Sequence, residues 1–290
     1  MSVSDAIDTT TSKRPEPVTA AAGLAAIQPA ARPRRRERRA LRVLPPLVVG
    51  ALLLGFWQLL TATGAVREYL LPPPADVARA FWRGVESGLF WEYGRTTLQE
   101  SLAGFALGVA VAVPLGYGIA RSRLLARALE PFVAASQALP AVAIAPILVL
   151  WMGFGYGPKI VVTFLLCIFP IVIASATGLK STPPELVELV RSLDASRFEL
   201  FRRVRFPSAL PHIFVGLKVA ISLAVIGAVI GEFVGAEAGL GYVIIASGSN
   251  VDTSLAFGAM VLLGVLSVAL FYALVGLERL LVPWARYEER

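Results

Sequence analysis

Cysteine and histidine are almost missing from this chain, with one of each in 290 residues. The lone Cys167 excludes an intramolecular disulfide and any multi-thiolate metal site. His212 is the sole imidazole, so zinc, haem or Ser-His-Asp chemistry has almost nothing to work with. Charge is scarce as well: Asp, Glu, Lys and Arg make up 16% of residues, against about a quarter in a soluble domain. A Walker-type loop is also absent. The turn "GFGYGPK" (Gly153 to Lys159) has no glycine directly before its lysine and no Ser or Thr after it, so ATP hydrolysis by this chain alone is not expected.

What fills the chain instead is apolar. Hydrophobic residues reach 56% and the mean hydropathy is +0.70, values of an integral membrane protein. The net charge of +7 does not point to nucleic acid, because the arginines cluster beside apolar runs, where the positive-inside bias places them. Residues 1–42 are rich in Ala, Pro, Thr and Arg without sustained apolar periodicity, and read as a disordered basic cytoplasmic tail. Its run "RPRRRERRALR" reads first as an orientation signal beside the first span, with nucleic acid or anionic lipid as the alternative contact.

A spanning helix needs roughly 20 mostly apolar residues. Six stretches qualify: 43–63, 98–120, 132–152, 160–179, 209–235 and 257–277, the third interrupted by Pro140 and Pro146. Arginine and lysine gather in the tail, after the second and fourth stretches and at the C-terminus. The loop 236–256 has neither. That alternation fits an all-α integral membrane protein with six transmembrane helices and both termini cytoplasmic, its membrane domain covering 43–285.

Between the fourth and fifth spans lies a charged island, "ELVRSLDASRFELFRRVRFPSALP", from Glu188 to Pro211. "STPPE" before it suggests a helix start with Ser or Thr capping. Glu188 with Arg191, Asp194 with Arg197, and Glu199 with Arg202 or Arg203 stand at the three- or four-residue spacing of helix-surface ion pairs. Phe198 and Phe201 share a face, and Pro207 with Pro211 is expected to break the helix before the next span. Such a segment either lies in the membrane interface or offers aromatic anchors to a partner's groove.

The island resembles the cytoplasmic loop of binding-protein-dependent ABC importer permeases, whose pattern is E-A-A, three residues, G, nine residues, I-x-L-P. Glu188 takes the acidic position, Val204 the Ile, Phe206 the Leu and Pro207 the Pro, with spacing unbroken; Leu189 and Val190 replace the alanines and Asp194 the glycine. "LPPPADV" (Leu71 to Val77), "QALPAVAIAPILVLWMGFGYGPK" (Gln137 to Lys159) and "GEFVGAEAGLGYVI" (Gly231 to Ile244) extend the likeness to the subfamily handling nitrate, taurine, aliphatic sulfonates and some vitamin precursors.

The resemblance implies a type I ABC importer architecture in the bacterial inner membrane, with a second permease copy, cytosolic ATPase subunits and a periplasmic or lipid-anchored substrate-binding protein. ATP and Mg would be used by the ATPase, with no cofactor in this chain. Residues 181–207 become the coupling loop, with Glu188, Arg191, Asp194, Ala195, Ser196, Phe198, Phe201, Val204 and Pro207 as its contact and shape residues. ATP-driven closure of the ATPases would then switch the pore by a rigid-body transition.

Ser136, Gln137, Ser175, Ser222 and Glu232 are candidates for the translocation pathway, although small polar residues also pack helices and Glu232, near the outer end of its span, alternatively serves helix-end structure or gating. Lys218 either snorkels or pairs within the bundle. Gly239 and Gly241 suggest a tight turn before "YVIIAS", and Trp82, Phe90 and Trp91 suggest an interfacial aromatic belt. A stand-alone ion-coupled transporter is the alternative. It ordinarily carries several intramembrane ionisable residues, and the spans offer Lys218 and Glu232.

Overall fold

The structure, a computed structural model, describes residues 35–138, 140–235 and 237–284; the side chains of 35–43, 130, 133–134, 136–138 and 141 are not described. Most of the tail expected to be disordered, residues 1–34, lies outside this set. Every element among the described residues is helical. The chain divides into two compact units, Met1–Gly55 and Phe56–Arg290. The helix α1 (Arg35–Ala62) crosses that division and begins eight residues ahead of the boundary read from hydropathy. In the first unit its Leu44, Leu47, Leu52 and Leu53 are exposed, a surface suited to lipid.

Five segments are long and apolar enough to cross a membrane: Leu44–Ala62, Leu89–Arg121, Tyr156–Lys180, Arg197–Phe233 and Thr253–Leu281. They correspond to the first, second, fourth, fifth and sixth expected spans. The third is different. It is divided between α4 (Arg123–Ala138) and α5 (Ala141–Met152), each too short to qualify. Pro140 is the cause at the junction: its backbone is extended and it has no amide to continue an incoming helix.

The second unit is organised around α6 (Tyr156–Lys180), which lies between α3 (Leu89–Arg121) and α9 (Phe206–Phe233). Lipid is as apolar as leucine, so close van der Waals packing has to drive association here. The sequence meets this with small residues. Gly104, Gly108, Ala112 and Gly116 recur every four residues along one stripe of α3. A methyl group on Gly104 would strike the Thr163 side chain, and one on Gly116 that of Ser175. On the other side of α6, Gly227 and Gly231 bring α9 against the backbone of Thr163 and Lys159. Cys167 sits at the junction of the three helices, fully buried, its Sγ 3.2 Å from the carbonyl of Ala220.

The remaining helices cover the outer flank. The amphipathic α2 (Pro74–Glu86) packs on α11 (Thr253–Leu281) and on α3. Of the three aromatics expected at an interface, Trp82 and Trp91 are exposed. Phe90 is instead buried against Phe81 and Gly84, because α3 turns that residue inward after the left-handed Gly88. The turn expected at Gly239 and Gly241 opens a short apolar helix, α10 (Leu240–Ser249), seated against α3, α9 and α11.

Candidate functional site

Two regions concentrate the polar chemistry of the chain. The first is the charged island. Helix α7 (Pro184–Ser192) starts with Pro184 in its first turn and no side-chain cap; Ser181 instead bonds back to Gly178, and Thr182 Oγ1 is buried without a partner among the described residues. After α7 the chain reverses at Asp194, which adopts φ 55°. That is the left-handed region favoured by glycine and tolerated best by Asp and Asn among other residues. Asp194 therefore keeps the backbone geometry that glycine serves in the resembled pattern.

Helix α8 (Arg197–Leu200) follows behind a complete capping box. Ser196 Oγ accepts from the Glu199 amide at 3.2 Å, and the Glu199 carboxylate accepts from the Ser196 amide at 3.0 Å. Of the ion pairs read from spacing, Arg203 with Glu199 forms, at a loose 3.9 Å; Glu188–Arg191 and Asp194–Arg197 do not form among the described residues. Such exposed pairs contribute too little to hold two long side chains in place.

The prolines do not break the helix. A π-helical turn over Phe201–Arg205 leads directly into α9, giving one continuous helical segment, Arg197–Phe233. Pro207 falls in the first turn of α9, where the wider preceding turn removes the need for its missing amide. Phe198 and Phe201 also part company. Phe198 is 67% exposed, whereas Phe201 packs into the protein against Tyr117 and Phe206, with ring centroids 4.7 and 5.8 Å apart. The exposed apolar surface is built by Leu186, Leu189, Leu193 and Phe198, among the exposed polar positions Glu188, Arg191 and Asp194. Ala195, Val204 and Pro207 are half-buried behind it.

The second region is a buried polar clamp uniting α3, α6, α9 and α10. Lys159 Nζ lies 2.7 Å from Glu100 Oε1 and 3.5 Å from the carbonyl of Ala238. Glu232 accepts from Thr97 Oγ1 at 2.6 Å and from the Gly241 amide at 2.6 Å, while Thr97 Oγ1 accepts from the Leu240 amide at 2.8 Å. The carboxylate of Glu232 and the hydroxyl of Thr97 thus cap the N-terminus of α10, whose exposed amides and dipole favour a negative partner. A side chain on Gly239 would collide with the Glu232 carboxyl, so the turn between them admits glycine alone. Glu100 and Glu232 are neighbours, and Glu100 Oε2 has no hydrogen-bond donor among the described residues.

This clamp revises the reading of ionisable residues in the spans. Glu100 and Lys159 were not singled out in sequence, since each stands near one end of a different apolar run, and 59 residues separate them. A lone acid in the opening turns of one span and a lone base in the opening turn of another are the available signal. Lys218 pairs with Glu278 of α11 at 3.0 Å, the bundle pairing rather than the snorkelling alternative. Among the pathway candidates, Glu232 and Ser175 are enclosed between helices, Ser175 facing Gly116. Ser222 stays on the less covered face of α9, in line with exposed Val215, Val219 and Ile226. The side chains of Ser136 and Gln137 lie outside the described residues.

The described residues thus form a multi-pass helical membrane protein with a shaped, partly apolar loop between two spans. Comparison with known proteins gives the family. Residues 105–287 match the model of the binding-protein-dependent transport system inner membrane component, and the chain belongs to that family. It is 40% identical to the riboflavin transport system permease protein RibX of Chloroflexus aurantiacus, over 80% of this chain and 87% of that one. It is 35% identical to the formylaminopyrimidine transport permease protein ThiX of Halalkalibacterium halodurans, over 86% and 99%. Against the aliphatic sulfonates transport permease protein SsuC of Escherichia coli the identity is 31%, over 84% and 92%. The fold matches a chain of the MetNI methionine ABC transporter in an inward-facing conformation, with a TM-score of 0.57 at 21% identity, covering 66% of this chain and 93% of that one. The chain is therefore a permease component of an ABC transport system and not an enzyme in its own right.

Proposed function

We propose that two copies of this chain form the translocation pathway of an ATP-driven importer and that residues 181–207 dock on separate cytosolic ATPase subunits, which use ATP and Mg. The observation that carries the proposal is the apolar surface of Leu186, Leu189, Leu193 and Phe198 on a short, charged, capped elbow. Exposed leucines and a phenylalanine on a polar segment outside the apolar spans mark a protein contact. Its two stops, the left-handed Asp194 and the Ser196–Glu199 capping box, hold the elbow's shape under load. Phe201, anchored on Tyr117, carries displacement of the elbow into α3.

In this arrangement α4 and α5 together make the broken third crossing, and both termini with the basic tail lie in the cytoplasm. A periplasmic or lipid-anchored binding protein delivers solute to the opposite face. The solute class we favour is a small heteroaromatic vitamin or vitamin precursor, as named for the relatives RibX and ThiX at 40% and 35% identity; an aliphatic sulfonate is the second choice. The uncovered face of α9, with Ser222 among Val215, Val219 and Ile226, lines the pathway.

The test is co-purification from cells producing permease and ATPase together. Phe198→Asp leaves the permease in the membrane and removes the ATPase from the complex. Full retention of the ATPase with both Phe198→Asp and Leu189→Asp refutes the docking assignment.

A further inference from the structure

Four arginines, one at the end of α3 and three from the successive elements of the elbow, face one cavity of about 150 Å³: Arg121 at the end of α3, Arg191 in α7, Arg197 opening α8, and Arg205 closing the π-helical turn. The other lining residues are Tyr117, Ala120, Leu179, Leu200 and Phe201, so no carboxylate contributes to the wall. None of the four guanidinium groups has an ion pair or side-chain hydrogen bond among the described residues. Arg205 Nε is buried and lacks an acceptor among the described residues. Four like charges converging over an apolar floor repel one another, and the floor weakens the screening that water gives an open surface. A solvated basic face leaves its guanidinium nitrogens to water, whereas here one donor is turned away from it.

We propose that this cavity is an oxyanion site for a tetrahedral phosphate-type group, bound by Arg121, Arg191, Arg197 and Arg205. Guanidinium is the side chain best matched to such groups, offering paired N–H donors in a planar fork. The cavity has room for one such group and not for a nucleotide. Two sources fit. Arg121 and Arg197 lie at the ends of membrane-crossing segments, where the phosphate of an anionic lipid headgroup is at hand, and free phosphate reaches the same level from water. Either would tie the elbow between α7 and α9 to the end of α3, stiffening the segment that transmits movement. The site stands apart from the docking surface, because Leu189, Leu193 and Phe198 do not line the cavity.

The experiment uses the full chain without ATPase. In nanodiscs of phosphatidylcholine, inorganic phosphate is titrated against chloride at constant ionic strength and followed by calorimetry. In parallel, protein extracted from its native membrane is examined by native mass spectrometry for retained anionic phospholipid. Saturable phosphate binding assigns the site to the free anion; retained phospholipid that is lost in Arg205→Gln assigns it to a headgroup. Either ligand is expected to weaken at least tenfold in Arg205→Gln and in Arg191→Gln, and less than twofold in Arg202→Gln, a neighbouring arginine off the cavity. Arg191, exposed on α7, keeps the test valid if Arg205→Gln fails to fold. Absence of both ligands from the wild type overturns the proposal, as does an equal loss in Arg202→Gln, which would indicate diffuse attraction to a basic surface.

Discussion

Lys159 and Glu100 meet at 2.7 Å on the seam between α3 and α6, with both side chains almost completely removed from the surface. They are the ionic half of a clamp whose other half, Glu232 and Thr97, holds the start of α10. A charge buried in a bundle is costly unless paired, and removing one partner leaves the other stranded.

Lys159→Met is accordingly expected to destabilise the folded chain by about 3–5 kcal/mol. The double variant Glu100→Gln/Lys159→Met should recover much of that loss, because no isolated charge remains at the pair. Thermal unfolding in detergent, followed by tryptophan fluorescence, measures the wild type, the single variants Lys159→Met and Glu100→Gln, and the double variant. Simple addition of the two single effects would show that the residues act independently.

Besides a long 3.4 Å bond to the Tyr93 carbonyl of its own helix, Thr97 makes two contacts across the bundle with one hydroxyl, accepting from the Leu240 amide and donating to Glu232. Thr97→Val preserves its shape and removes both, at a cost of about 1–2 kcal/mol for polar contacts inside a membrane bundle. The loss should be local. Hydrogen exchange at residues 240–243 is expected to accelerate about tenfold or more, with α6 unchanged; uniform protection throughout would mean α10 is held by packing alone.

Much of this architecture was legible beforehand. Four of the five long spans follow from uninterrupted apolar runs, and α9 is readable even though its prolines suggested a break. That error has a definite cause: a proline removes one amide, and the π-helical turn ahead of Pro207 absorbs the deficit without ending the helix. The loop's spacing from Glu188 to Pro207 is visible as a string, whereas two of the three ion pairs read from it do not form among the described residues, since i,i+3 spacing permits contacts that exposed side chains need not make. The clamp escaped notice because its members lie on separate elements, Thr97 and Leu240 being 143 positions apart. Glu232 stands out in the sequence as a candidate for either the pathway or a helix end. A buried carboxylate in a span suggests a route for solute, and only the adjoining helix start shows it to be a cap.

The seams of small residues make a steric prediction. Gly104→Ala places its methyl against the Thr163 side chain and 3.0 Å from the carbonyl of Ile160, in a position where backbone must move. Overpacking of this kind costs about 1–3 kcal/mol. Gly94→Ala, on the same helix, meets nothing closer than 3.9 Å and should show only the helix-propensity gain of about 0.5–1 kcal/mol. Comparing their unfolding midpoints separates close approach from helix propensity, which would stabilise both variants alike.

Asp194 supplies the last prediction. Its φ of 55° demands a residue tolerant of the left-handed region, and the turn joins α7 to the capping box that starts α8. Asp194→Gly should therefore leave the elbow intact, while Asp194→Val, β-branched and strained there, should cost about 1–2 kcal/mol locally. Because the elbow is an end of the structure and not its core, the global unfolding midpoint should hardly change. Limited proteolysis between Ser192 and Arg197 is the sensitive readout, with faster cleavage in Asp194→Val and wild-type rates in Asp194→Gly. Equal cleavage of the two variants would mean that the carboxylate, and not the backbone conformation, maintains the turn.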